Sequence, residues 1–161
     1  ALNVTLDPEA EQDLTEVFGT AILAYSPEII EGADEAVRVA ADFGPIAIIS
    51  DSGVSPGSSL RELLNRANLS RYFTTMVFSD EVGVAKPQAP MFEAASRGLG
   101  VPMTDLLHIG DLEHTDIAGA KAVNAKAAIF ANGNTVEQTQ ADYAIMEWNE
   151  FPKLLSSIKI T

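Results

Sequence analysis

The stretch "LLHIGDLEHTDIAGAKAVNAKAAIF", residues 106–130, sets a short apolar run directly against two aspartates five residues apart, Asp111 and Asp116. A second apolar run closes it. Neither run, 106–109 nor 126–130, alternates apolar with polar side chains as a half-exposed strand does. Continuous apolar runs of this length are what strands covered by helices on both faces show. Between them a helix starts near Thr115 and stops near Asn124. Strand, helix, strand in that order predicts a right-handed parallel unit. Asp111 then lies just past the carboxyl end of its first strand, the side on which open α/β sheets bind ligands.

Working outward, the same kind of run recurs at 46–49, 75–78 and 143–146. The intervening helices carry their own punctuation. Ser55 and Pro56 open one that runs to about Ala67, and Pro90 sits in the first turn of another that ends near Gly98 to Gly100. Gly133 reads as a stop. The alternation predicts an α/β fold: an open, mostly parallel Rossmann-like sheet with flanking helices. Residues 1–30 differ. Asp7 as cap, Pro8 at the first helical position and Glu9 and Glu11 in the first turn mark a helix to about Ala24. Leu14, Val17, Phe18, Ile22 and Leu23 share one face of it, which predicts a packed amphipathic element. The stretch 25–32 reads as a hinge between this helix and the sheet, dividing a cap-like segment, 1–30, from the α/β core, 31–161.

Composition narrows the function. A chain of 161 residues, 47% of them hydrophobic, is long enough to bury roughly two-thirds of its unfolded surface in one core. No run approaches the roughly 18 uninterrupted apolar residues of a membrane span. The absence of cysteine excludes disulfides and thiolate chemistry, and without a basic and apolar leader pattern the cytoplasm is the expected location. Ten basic against 23 acidic side chains leave a net charge of −13. That field repels nucleic acid and anionic membranes, so neither is expected as a partner. It also opposes an anionic substrate unless a cation or a local positive site offsets it.

Polar residues gather at three strand ends: Ser50 with Asp51, Ser79 with Asp80, and Asp111. Lys86-Pro87 follows the second of them by a loop, "DEVGVAKP", whose Gly83 and Pro87 allow a return toward the same rim. Taken singly, each has a plainer explanation. Asp111 and Asp116 serve equally as a helix cap and a solvated first-turn acid. Ser50 can bond its own turn, Lys86 can be a surface charge, His108 reads as a packed core residue and His114 as exposed.

Taken in order, the three motifs resemble the haloacid dehalogenase-like hydrolase superfamily. From "IIEGADEAVRVAADFGPIAIISDSG" through "RYFTTMVFSDEVGVAKPQAPMFEAASRGLGV" to the opening stretch, residues 29–131 look like the carboxyl-terminal two-thirds of its helical-cap group. The resemblance implies that Ser50 and the backbone amide of Asp51 bind a phosphoryl oxygen. It implies that Lys86 neutralises the nucleophile and the transferring group, that Asp111 holds Mg²⁺ and that Asp116 orients groups in the shell of that ion. Such a cation would answer the charge problem, since Mg²⁺ takes hard oxygen ligands. The "GDxxxxD" pattern resembles the magnesium-dependent phosphatases rather than the metal-free dehalogenases. The implied activity is hydrolysis of a small phosphorylated substrate, a phosphoric monoester.

One family element is missing. The nucleophile of the superfamily is the first aspartate of a "DxD" at the end of its first strand, and no "DxD" occurs in these 161 residues. That strand belongs between the ones matching 46–50 and 106–110, so the sheet is expected to have a gap at its centre. Three readings follow. In one, the chain is truncated and begins inside the cap, with residues 2–23 resembling the last cap helix and its approach. In another, "LNVTLDPEA" replaces the first strand and offers Asp7 as a nucleophile, although Asn3 and Thr5 would then face a buried side. In the last, the chain is a non-catalytic binding or scaffolding module of the same fold. A homodimer, or a partner chain completing the sheet, is expected wherever the exposed edges beside Ile48 and Leu107 must be satisfied.

Overall fold

The structure, a computed structural model, describes residues 7–136 and 138–158. The apolar runs form five strands: β1 (Ile46–Ser50), β2 (Phe73–Phe78), β3 (Leu107–Gly110), β4 (Lys126–Phe130) and β5 (Tyr143–Ile145). All the ladders are parallel. β1 pairs with β2, placing Ile48 opposite Met76 and Ser50 opposite Phe78. β4 lies between β3 and β5, with His108 opposite Ala127 and Ile129 opposite Ala144. No ladder joins β1 to β3 among the described residues, so the molecule carries two half-sheets, β1-β2 and β3-β4-β5. The break falls where the sequence predicts the missing central strand.

The helices are α1 (Pro8–Ala24), α2 (Ala33–Phe43), α3 (Gly57–Arg66), α4 (Ser79–Val82), α5 (Ala89–Leu99), α6 (Ala118–Ala122) and α7 (Phe151–Ser157). Two apolar layers cover the sheets. On one face Met91, Phe92 and Ala95 of α5 and Ala120 of α6 pack on Val77 of β2 and Ala127 and Ile129 of β4, with Ala47 and Ile49 of β1 alongside. This layer therefore spans both half-sheets. On the other face Ala36 of α2 and Phe151, Leu154 and Leu155 of α7 pack on Ala128, Phe130 and Ile145. Met91 and Phe92 are wholly buried, each stabilising the fold by about 2–3 kcal/mol. Gly100 closes α5 at φ 71°, a left-handed turn that glycine enters without a Cβ clash. No helix among the described residues is long and apolar enough to cross a membrane.

α1 corrects one expectation. Its start is as read: the Asp7 carboxylate accepts a hydrogen bond from Ala10 N–H at 2.9 Å, with Pro8 in the first turn. Its apolar face, however, is not packed. Leu14 is 43%, Val17 63% and Phe18 57% exposed. The helix meets the body along a narrow contact with α3, where Ser59 Oγ donates to the Gly19 carbonyl at 2.8 Å and Pro56 lies against Gly19. Arg66 adds a bond to the Leu23 carbonyl at 2.8 Å. Residues 1–6, the body of the suggested replacement strand, lie outside the described residues.

Candidate active site

Each strand that ends in polar residues delivers them to one rim. After β1 the chain turns through Ser50, Asp51 and Ser52, and a network fastens this turn to the start of α4. Ser52 N–H donates to Ser79 Oγ at 2.9 Å, Ser52 Oγ donates to Asp80 Oδ1 at 2.6 Å, and Asp80 N–H donates back to Ser52 Oγ at 3.0 Å. Gly57 N–H, opening α3, reaches both Asp80 oxygens at 3.1 and 3.2 Å. The Ser52 hydroxyl, opposed by partial desolvation and aided by the Gly57 amide, holds the Asp80 carboxyl below its ordinary value. Ser52 is 5% exposed, and a sequence reading limited to Ser50 and Asp51 misses it.

Lys86 joins the two half-sheets. Its backbone N–H donates to Asp51 Oδ1 at 2.9 Å, tying it to the end of β1. Its ammonium donates to Asp116 Oδ1 at 2.6 Å, tying it to the turn beyond β3. The two side chains of that ion pair are 12% and 3% exposed. Asp116 sits in a π-helical turn, Glu113–Ile117, that leads into α6; such wide turns occur frequently at functional sites. Its Oδ1 also receives His108 Nε2 at 3.0 Å, and its Oδ2 receives Leu112 N–H at 3.0 Å. Burial pushes the Asp116 carboxyl up. The His108 and Lys86 donors, the Lys86 charge and the Leu112 amide outweigh it, leaving Asp116 far below the usual carboxylate range. Gly110 makes this approach possible, because a Cβ there would overlap the Asp116 carboxyl group.

Of the residues expected at the site, Asp51, Lys86 and Asp116 are in direct contact. Ser50 closes β1 and Asp111 directly follows β3, and neither hydrogen-bonds Lys86 among the described residues. Among the described residues the Ser50 hydroxyl makes only a 3.5 Å contact, to the Asp51 carbonyl, which leaves it available to a ligand. It also borders a cavity of about 470 Å³ lined by Ile48, Leu63 and Phe78. Asp111 is exposed. Asp7 caps α1, and its carboxylate is engaged there. His108 does more than pack: its ring stands edge-on to Phe92, centroids 5.2 Å apart, while Nε2 faces Asp116. His114 is exposed, as expected.

For a cation, the donor set is lean. No cluster of three or more His, Asp or Glu side chains stands together among the described residues. Asp116 has both oxygens engaged by donors, which suits it to orienting Lys86 rather than ligating metal. Asp111 has an exposed carboxylate that enters no hydrogen bond among the described residues. A single hard carboxylate fits Mg²⁺, which commonly binds through one or two carboxylates with waters and phosphate completing its shell.

The chain belongs to the haloacid dehalogenase-like hydrolases: residues 3–124 match that family. It is 32% identical over 103 residues to a glyceraldehyde 3-phosphate phosphatase of Pyrococcus furiosus, covering 61% of this chain and 42% of that protein. It is 28% identical over 115 residues to a (S)-2-haloacid dehalogenase of a Pseudomonas species, covering 70% and 48%. It thus spans about half the length of the curated relatives it matches. The fold matches the crystal structure of a phosphatase of this family from Thermococcus onnurineus at a TM-score of 0.73 and 24% identity. That match covers 96% of this chain and 68% of the other.

Proposed function

We propose that this chain carries the oxyanion- and cation-binding half of a Mg²⁺-dependent phosphatase site for a small phosphate ester. The observation that carries the proposal is the Lys86 junction, a lysine whose backbone N–H is tied to Asp51 at the end of one half-sheet and whose ammonium is held by Asp116 beyond the end of the other. Phosphoryl transfer asks mainly for positioning and for positive charge around the equatorial oxygens. The Lys86 ammonium and the free Ser50 hydroxyl answer that need from this chain. The backbone N–H of Asp51 adds a donor beside Ser50. Asp111 would hold Mg²⁺, which supplies Lewis-acid charge neutralisation when bound. The paired "GDxxxxD" supports a phosphate ester over a haloacid, while the relatives include both a phosphatase and a haloacid dehalogenase.

Attack on phosphorus needs a nucleophile that the described site lacks. The facing edges of β1 and β3, unpaired among the described residues, would accept a strand parallel to both, and a carboxylate at the end of that strand would arrive beside Lys86. A further segment or a partner chain supplies it. On its own the chain therefore binds phosphate but turns over at a trace rate, since losing one member of a cooperating catalytic set costs roughly 10⁴- to 10⁶-fold. The lack of a "DxD" is also what a non-catalytic binding module of the same fold would show. Titration calorimetry of inorganic phosphate with and without Mg²⁺, run beside hydrolysis of p-nitrophenyl phosphate, tests both. Mg²⁺-enhanced binding with trace turnover is expected, turnover that stays absent when the strand is supplied leaves the module, and no phosphate binding sinks the proposal.

A further inference from the structure

We infer that His108 is a positioning residue, which fixes the Lys86 ammonium by orienting Asp116. Three donors from three separate segments meet on the Asp116 carboxylate. His108 Nε2 at 3.0 Å and Lys86 Nζ at 2.6 Å share Oδ1, and Leu112 N–H at 3.0 Å takes Oδ2. An ionised carboxylate only accepts, so His108 Nε2 must carry its hydrogen. With Oδ2 held by the backbone and Oδ1 by the ring, the carboxylate plane cannot turn, and Lys86 meets an acceptor in one fixed place.

The ring itself is held. It stands at 80° to Phe92, which is fully buried on α5. Phe92 in turn lies against Gly119, where a Cβ would strike both the Phe92 ring and the Pro87 backbone. The residue after Lys86 and the ring orienting its counter-ion thus rest on the same packed contact. A histidine placed only to fill the core would need none of the Nε2 geometry, and leucine would fill that space as well.

That difference reverses the order of two variants. His108→Gln keeps an amide donor near the Nε2 position but packs poorly; His108→Leu packs well but has no donor. Lys86 acylation by limiting acetic anhydride is measured by mass spectrometry against Lys153 as internal reference, alongside the Kd for inorganic phosphate with Mg²⁺ and the thermal midpoint. Losing one charge-assisted hydrogen bond corresponds to roughly ten- to a hundredfold. His108→Leu is expected to raise Lys86 labelling and weaken phosphate binding by that factor, with a midpoint lowered by the lost Asp116 donor. His108→Gln is expected to stay within about twofold of wild type in both, at a lower midpoint. The reverse order, with leucine preserving labelling and affinity, overturns the assignment.

The phosphate arm rests on the phosphatase proposal, whereas the labelling arm does not. If wild type binds no phosphate, that proposal falls, and Lys86 labelling alone decides the role of His108. Should both variants fail to fold, the wild-type imidazole N–H signals decide. A slowly exchanging His108 proton on Nε2 supports the assignment, and a proton resident on Nδ1 alone overturns it.

Discussion

Replacing Lys86 with methionine probes the junction most sharply. With side chains only 12% and 3% exposed, the Lys86–Asp116 pair lacks the screening of a surface ion pair. Deleting one partner of a buried pair costs about 3–5 kcal/mol when the other charge is left bare. Here Asp116 keeps its His108 and Leu112 donors. The expected loss is therefore smaller, about 2–3 kcal/mol, near that of one charge-assisted hydrogen bond. For a chain of this size the Tm falls by roughly 4–12 °C. The pH dependence has a definite sign. A carboxylate whose folded pKa lies below its unfolded value contributes stability that is fully present above the unfolded pKa, about 3.9, and lost as pH falls toward the folded one. Asp116 is depressed partly by Lys86, so the variant contributes less of this term. Its deficit should be constant above about pH 5 and shrink in acid. Urea unfolding followed by circular dichroism from pH 7 to pH 3 measures both. A deficit under about 0.5 kcal/mol at pH 7, as for an exposed pair, or one that grows in acid, would refute the junction.

Gly110→Ala drives a methyl into the Asp116 carboxyl group and should cost about 3 kcal/mol, read by the same urea titration; a stability within about 0.5 kcal/mol of wild type would show that the turn gives way freely. Ser52→Ala removes the largest cause that lowers Asp80, so the Asp80 carboxyl should titrate closer to its ordinary value by carbon-detected NMR. An unmoved titration would mean that the backbone amides of Gly57, Asp80 and Glu81 hold it without the hydroxyl.

Much of the fold could be read because the strands of a parallel sheet announce themselves as continuous apolar runs. The run 126–130 is β4 to the residue, and 46–49 and 106–109 lie within one residue of β1 and β3. β2 begins earlier than its apolar run because Phe73 pairs with Ile46 across an irregularity in the ladder. α2 has no side-chain cap to mark it; Gly32 in the left-handed region starts it instead. α1 shows the opposite failure. Its amphipathic pattern is real, yet periodicity says only which residues share a face, not what covers that face. At the site, spacing exposed Lys86, Asp111 and Asp116. It could not expose Ser52 with Asp80, joined across 28 positions, nor the tie from His108 to Asp116. Those depend on where a turn and a π-helical segment place the backbone, and local sequence does not encode that.

The two half-sheets are held together by unequal means, and this bears on how the chain behaves alone. The layer of α5 and α6 spans both on one face, and Lys86 clamps the rim. Nothing pairs the backbone of β1 with that of β3 among the described residues. Unpaired parallel edges recruit strands, and the side chains beside them, Ile48 and Leu107, are apolar and only partly buried. Self-association through these edges is therefore the expected outcome, as a homodimer whose protomers lend each other a strand edge. Light scattering across a concentration series should show a dimer. Hydrogen exchange should show protection of those β1 and β3 amides that point away from β2 and β4. A monomer with these amides exchanging freely would mean that the opening stays vacant and waits for a strand from elsewhere. A monomer with them protected would contradict the break between the half-sheets itself.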